Sequence, residues 1–537
     1  MPWAAIVVVN VLQSRTNLFL AVQVLCGALL EASLGAQETK PATSRPAALT
    51  RPQDVPIPTD QEATSSVELT LADALRIGRR SNTNLAALEL LPMQAREDLR
   101  GARAFFEPEL YGEAGAGKTQ DPSRNIFVPE ITRETYDGKL GWRQRVASGG
   151  LFDLAFTPTK VHQTTTSPGF PVQQFTSDVT LTFTQPLLRG AWSDYALRNV
   201  RIGEAVVAGA EHKFRKNIQD TLLETTRAYW ELVFARENYR VVFLALDLAR
   251  EQLRITNERI RVRELAERDR VADEADVARR KEELITAENV IRAREDALRR
   301  LIYDDKDGLL WKRPLRPTSP LHEAPAVSGV EWQSLAETAL RRRPDLMSKR
   351  SEISQAEIQL EAAERDLLPK FDLVSSYSTD GTRGTFNDAW SDTWSADYPD
   401  WSVRLQFAIP IGNHAALASR DKQKLVVEQK KRELYVAELD VAREVRDAVR
   451  ELTTLALRIQ AALESVRLGE TNLDTERQKL RVGLSTAFEV QRRNQELREA
   501  RSRLLRNQLD FEIATAVLLH VQGLLSGDDP ALTGKRP

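Results

Sequence analysis

The sequence predicts a mainly α-helical protein with a membrane β-barrel section, organised as two tandem structural repeats of long coiled helices plus β-strands. Three observations carry this. Two segments open alike and reach a proline at the same spacing. Two stretches of about 68 residues lack proline. Several segments alternate apolar and polar residues with period two.

The repeat comes first. One copy opens with Leu71, Ala72, Ala74, Leu75 and Asn84-Leu85, the other with Leu335, Ala336, Ala339, Leu340 and Pro344-Asp345-Leu346. Pro108 lies 23 residues after Leu85, and Pro369 lies 23 residues after Leu346. The spacing implies matched halves near 67–312 and 329–525, joined by a linker at 313–328. In each half a helix of roughly 35 residues is expected, 71–106 or 332–366. A strand region follows and ends at Gln185-Pro186 or Ile409-Pro410. The proline-free stretches 195–262 and 414–481 come next. Shorter helices, 270–303 and 487–522, close the halves.

The long stretches have a physical meaning. At 1.5 Å rise per residue a 68-residue helix runs about 100 Å, deeper than any single globular core. The two shorter helices of each half reach the same length if stacked end to end beside it. Leu222, Ala228, Tyr229, Leu232, Val233 and Leu244 mark an apolar stripe on the first long stretch. Leu434, Val436, Leu439, Val441 and Val445 mark one on the second. Dense Arg and Glu surround both, as on coiled-coil surfaces.

The strands separate this chain from a plain coiled coil. Val179, Leu181 and Phe183 alternate with threonines, and Val403, Leu405, Phe407 and Ile409 with Ser402, Arg404, Gln406 and Ala408. Leu140, Trp142, Gln144 and Val146 alternate with Lys139, Arg143 and Arg145, and Phe152, Leu154 and Phe156 with Asp153 and Ala155. A membrane barrel wall shows this pattern, and so does a soluble sandwich. With four to six strands per chain, a membrane wall requires several chains, because an open edge cannot face lipid.

Composition bounds the rest. The chain has 537 residues, 42% apolar and 28% charged, with a net charge of -2 that advertises no nucleic-acid partner. Residues 1–36 read as a signal peptide, with an apolar core from Leu18 to Leu30 followed by Ala32, Ser33, Gly35 and Ala36. Cys26, the only cysteine, lies inside it, and Leu25 before it is not the small residue that lipidation requires. Residues 37–66 and 526–537 read as a disordered leader and tail. His162, His212, His322, His414 and His520 form no ligand spacing, and Gly112, Gly115 and Gly117 do not follow the dinucleotide fingerprint. No enzyme, cofactor or metal site is expected.

In its motifs the chain resembles the TolC-like outer-membrane efflux family (outer membrane factors). The resemblance rests on Phe105-Phe106-Glu107-Pro108-Glu109-Leu110, Leu367-Leu368-Pro369-Lys370-Phe371, Gln185-Pro186-Leu187-Leu188-Arg189-Gly190, and Arg481-Val482-Gly483 followed by Glu489-Val490. It implies a trimeric α/β-barrel channel whose three chains form one 12-stranded barrel in the outer membrane, continued by a helical tunnel into the periplasm. It implies the exit duct of a tripartite efflux or type I secretion system, with a periplasmic adaptor, an inner-membrane transporter and outer-membrane lipid as partners.

The resemblance also places the sites. The tunnel tip falls at 260–272 and 480–492, making Arg263, Val482, Gly483 and Leu484 docking candidates. Glu489, six residues past Gly483, stands where the family carries a gate aspartate, with Arg492 one turn on. Asp269 holds the matching position in the first half. Two departures are visible. Arg263 replaces the usual tip glycine, which puts the turn in doubt. The first half has about 78 residues between its prolines against 41 in the second. The excess contains a hairpin, Tyr136 to Thr157, turning at Ser148-Gly149-Gly150, which either rises above the membrane or adds strands to the wall.

Overall fold

The structure, a computed structural model, describes residues 67–125, 128–165, 172–303, 314–321, 331–397 and 399–526. The expected signal segment with Cys26, the leader 37–66, His322 and residues 527–537 of the expected tail lie outside the described residues.

Each half opens with two helices where the sequence predicts one. In the first half α1 (Leu71–Ser81, 11 residues) is followed by α2 (Thr83–Ala104, 22 residues). The break falls at Asn82, whose extended backbone (ψ 115°) ends α1 and whose side chain accepts the Leu85 N–H at 2.8 Å to cap α2. In the second half the corresponding helices, labelled below in chain order, are Trp332–Arg342 and Pro344–Arg365, again 11 and 22 residues. There the break is Arg343, forced out of helical conformation by the proline that follows it.

After α2 come four strands: β2 (Glu109–Asn125), β3 (Val128–Arg145), β4 (Leu151–Thr165) and β5 (Val172–Pro186). A single-turn α3 (Ser193–Ala196) then leads into α4 (Arg198–Arg261), 64 residues and about 96 Å long. The chain turns and returns as α5 (Glu267–Ile302). The second half runs α6 (Trp332–Arg342), α7 (Pro344–Arg365), β7 (Lys370–Arg383), α8 (Phe386–Ser395) and β8 (Pro399–Ala408). It ends with the 68-residue α9 (His414–Arg481) and α10 (Ala487–Val521).

The helices pack in lanes. Next to the sheet the order is α2, α4, α7, α9, and toward the far turns α5, α4, α10, α9. The main core lies where the short helices meet. Leu71, Leu75, Leu222, Trp230, Leu298 and Leu509 are fully buried there. The predicted stripes divide accordingly. Leu222, Tyr229 and Leu232 are buried, whereas Leu244 is 58% exposed. On α9, Val441 and Val445 are buried, but Val436 and Leu439 face outward with Leu425 and Tyr435. The helix thus carries two apolar faces, and this chain covers one.

A short parallel pair was not expected from the sequence. β1 (Val67–Leu69) pairs in parallel with β6 (Leu315–Pro317), within the segment read as a linker. The buried Tyr229 hydroxyl ties the pair to α4, donating to the Leu69 carbonyl at 3.1 Å and accepting from Ser319 N–H at 3.0 Å. Glu295 on α5 accepts Leu315 N–H at 3.2 Å and pairs with Arg299 at 2.8 Å.

The six long strands form one antiparallel sheet, ordered β2-β3-β4-β5-β7-β8. The hairpin β3–β4 therefore sits inside the sheet, not above it. Its turn lies at the helix-proximal end, where Gly149 takes φ 87° and Gln185 donates to the Ser148 carbonyl at 3.0 Å. One face is apolar across every strand: Leu110, Trp142, Leu154, Leu181, Tyr377 and Leu405 all lie on it and are 40% exposed or thereabouts to 74% exposed. The opposite face carries Tyr111, Lys139, Arg143, Asp153, Thr182 and Gln406. That is the two-faced pattern of a wall between lipid and a wet lumen. No described helix is long and apolar enough to cross a membrane.

Candidate functional site at the helical turns

The two long hairpins end in the same turn. Val262 and Val482 cap their helices with N–H donations to Glu258 and Gln478 carbonyls at 3.2 and 3.3 Å. Arg263 and Gly483 follow in left-handed conformation, φ 62° and 76°. Arg263 N–H reaches the Ile260 carbonyl at 2.9 Å and Glu264 N–H the Arg259 carbonyl at 2.8 Å. In the second turn Gly483 reaches Leu480 at 3.1 Å and Leu484 reaches Lys479 at 2.9 Å. Both are Schellman closures, with the last carbonyls satisfied by the chain that leaves. Arginine in the first turn therefore does not alter the geometry. It adopts the glycine conformation at a cost of about 1–2 kcal/mol.

The helices that leave the turns are capped differently. Thr486 Oγ1 accepts Glu489 N–H at 3.3 Å. Ala266, in the corresponding place, has no side-chain acceptor, and Asp269 instead reaches back to accept Ala266 N–H at 3.2 Å. Asp269 and Glu489 thus share a position but differ in duty. Asp269 is engaged in its cap, while the Glu489 carboxylate lies 3.8 Å from Arg492 Nη1 on the same helix. Arg492 also meets Glu496 at 3.3 Å.

Around these groups the surface is apolar. Val482 is 69% and Leu484 78% exposed, joined by Val262 and by Phe488, an aromatic the sequence reading passed over. Phe488 follows the Thr486 cap directly, and the cap-plus-aromatic order was the signal available. Behind it a groove of about 750 Å³ runs between α4, α5 and α10, lined by Leu248, Ile255, Asp273, Arg280 and Arg498. The structure brings Glu489, Arg492, Val482, Gly483 and Leu484 together at one turn, and Arg263 and Asp269 at the other. Among the described residues no group of His, Cys, Asp or Glu is arranged to hold a metal ion.

A sheet with one apolar and one polar face, joined to helical hairpins of this length, is the fold of solved outer-membrane channels. The chain is similar in structure to the CmeC outer membrane channel of Campylobacter jejuni (15% identity, TM-score 0.62, covering 94% of this chain and 96% of that one). It is also similar to VceC of Vibrio cholerae (16%, 0.58, 84% and 96%) and to the open MtrE channel of Neisseria gonorrhoeae (17%, 0.57, 84% and 89%). Residues 335–523 match the family described as outer membrane efflux protein. Among curated proteins, none matches the sequence.

Proposed function

We propose that the chain is the exit duct of a tripartite efflux or type I secretion assembly. Three copies close their sheets into one wall, and the tips of their hairpins receive a periplasmic adaptor linked to an inner-membrane transporter. The observation that carries the docking reading is the pair of matched turns, each at the end of a helix about 100 Å long, with Val262 exposed at one and Val482, Leu484 and Phe488 at the other. Val262, Val482, Leu484 and Phe488 are the contact residues, and Arg263 and Gly483 hold the backbone that presents them. Glu489 with Arg492 forms the gate, and Asp269 supports it from the neighbouring turn.

The test is Leu484→Asp in cells that depend on export. Loss of export and of adaptor co-purification, with trimer yield in the outer membrane unchanged, is the expected result. Wild-type export would place the docking surface elsewhere.

A further inference from the structure

We propose that the outer-membrane wall of this channel has eighteen strands, six from each chain, and that its mouth is as wide as the helical tunnel behind it. The inference rests on the export-duct reading above and goes beyond the twelve strands that the family resemblance implies.

The first observation is the continuity of the sheet. β3 pairs with β2 from Glu109↔Arg143 to Asn125↔Val128, and β4 pairs with β5 from Leu151↔Thr184 to Gln163↔Val172. The added hairpin thus runs the full height of its neighbours. The second is its facing. Leu140, Trp142, Leu154 and Phe156 continue the apolar face of β5 and β8, while Lys139, Arg143, Asp153 and Thr157 continue the polar one. Together with the continuous pairing, that facing carries the apolar stripe of β5 and β8 unbroken through the hairpin.

The third observation is a lock on the polar face. Tyr111 on β2 donates to Asp153 on β4 at 2.6 Å, and Arg143 on the intervening β3 pairs with the same carboxylate at 2.9 Å. The Tyr111 ring covers Gly141, where a Cβ would collide with it. An aromatic over a strand glycine fixes register across the pair. Three strands are held in register by this one cluster.

Width follows from spacing. Eighteen strands about 4.8 Å apart, tilted 35–45°, span a circumference of about 105–122 Å. Twelve at the same tilt span about 70–81 Å. Four helical lanes per chain, about 8–10 Å apart, give about 96–120 Å for three chains. The wider wall matches the tunnel without a taper. Cargo size is then limited at the helical tips and not at the exit, which suits bulky solutes and unfolded polypeptides as well as small molecules.

The experiment is imaging of the intact channel in lipid nanodiscs, with strands counted in cross-section. Eighteen strands are expected. A closed twelve-stranded wall with 128–165 outside it overturns the proposal and leaves the export reading standing. Absence of any closed trimeric wall overturns both. Thiol labelling of reconstituted trimers supplies a second readout, in a Cys26→Ser background. Lys139→Cys and Thr157→Cys should react with a water-soluble reagent, and Leu140→Cys and Leu154→Cys should be protected. Equal reaction at all four positions would remove the hairpin from the wall.

Discussion

Arg263 and Gly483 occupy the same backbone conformation in the same turn, one at a steric cost and one without. Arg263→Gly should relieve about 0.5–1 kcal/mol of that cost after the entropy of a new glycine is counted. Hydrogen exchange at 262–266 should slow about two- to fivefold. A Cβ at Gly483 would meet nothing within 4 Å, so substitution there is opposed by φ and not by crowding. The gate prediction belongs at this scale too. Three Glu489 carboxylates around a narrow aperture attract cations, so Glu489→Ala should lower cation selectivity severalfold in planar bilayers and Glu489→Lys should favour anions. Unchanged selectivity would leave Glu489 a helix-surface residue. Arg343 offers a pH test. Burial pushes the Asp345 carboxyl up, but the Arg343 guanidinium at 2.7 Å outweighs it and holds the group below the ordinary carboxylate range. The unfolded chain therefore takes up this proton first, so the stabilisation is present above the ordinary carboxylate pKa and is lost as pH falls through the depressed one. Asp345→Asn should cost about 1–3 kcal/mol at neutral pH and blunt the acid sensitivity of the α6–α7 junction, read by thermal melts against pH.

At the scale of elements, legibility followed periodicity. The sequence located α4 and α9 within a few residues because 68 positions free of the helix-breaking proline also carry apolar stripes among dense Arg and Glu. β5 and β8 were legible because their apolar residues alternate. The breaks at Asn82 and Arg343 were not, since a single capped residue interrupts no pattern; Pro344 was the available signal for the second. β1 and β6 are three residues each, too short to show a period. β2 was legible from the entry at Glu109-Leu110 and from Gly112, Gly115 and Gly117 read as small strand residues, while α8 lies between two strands and was not foreseen. That helix lies on the apolar face of the sheet, with Thr393 donating to the Ser177 carbonyl at 2.8 Å. Trp390 meets Phe156 edge-on at 4.9 Å, and Trp394 is 64% exposed. Interfacial aromatics of this kind mark the headgroup level of a membrane. Gly381 allows the close approach, because a Cβ there would overlap the Ala389 carbonyl. Gly381→Val should lift α8 from the sheet, and chymotrypsin should then cut at Phe386, Trp390 or Trp394. Unaltered resistance would show that α8 is held by other contacts.

For the whole molecule, the faces this chain leaves uncovered define its assembly. Leu425, Tyr435, Val436 and Leu439 are each more than half exposed along α9, and Leu90 and Leu91 are half exposed on α2 at the other end of the lane order. Two edges of one helical layer, both apolar, suit a ring in which α9 of one copy meets α2 of the next. Val436→Glu with Leu439→Glu should abolish the trimer by mass measurement in detergent while leaving helical content intact. A trimer of normal yield would move the interface to another face. The sequence showed that a membrane wall built from this chain needs several copies, because four to six strands cannot close one. It did not show how many strands each contributes, because adding a hairpin to a sheet and raising one above it use the same alternation.

The pairing of β1 with β6 sets a schedule for biosynthesis. Val67 leaves the ribosome 248 residues before its partner Leu315. At about 5–20 residues per second that is an interval of roughly 12–50 s. The long helices at 198–261 and 267–302 are made within that interval, and the strand that completes them comes last. Ser319 is likewise absent, so the Tyr229 hydroxyl lacks its inbound hydrogen bond. A chain stopped before residue 315 lacks the partner of β1 and the Ser319 N–H that Tyr229 accepts, and it should be degraded even though its own repeat is nearly complete in length.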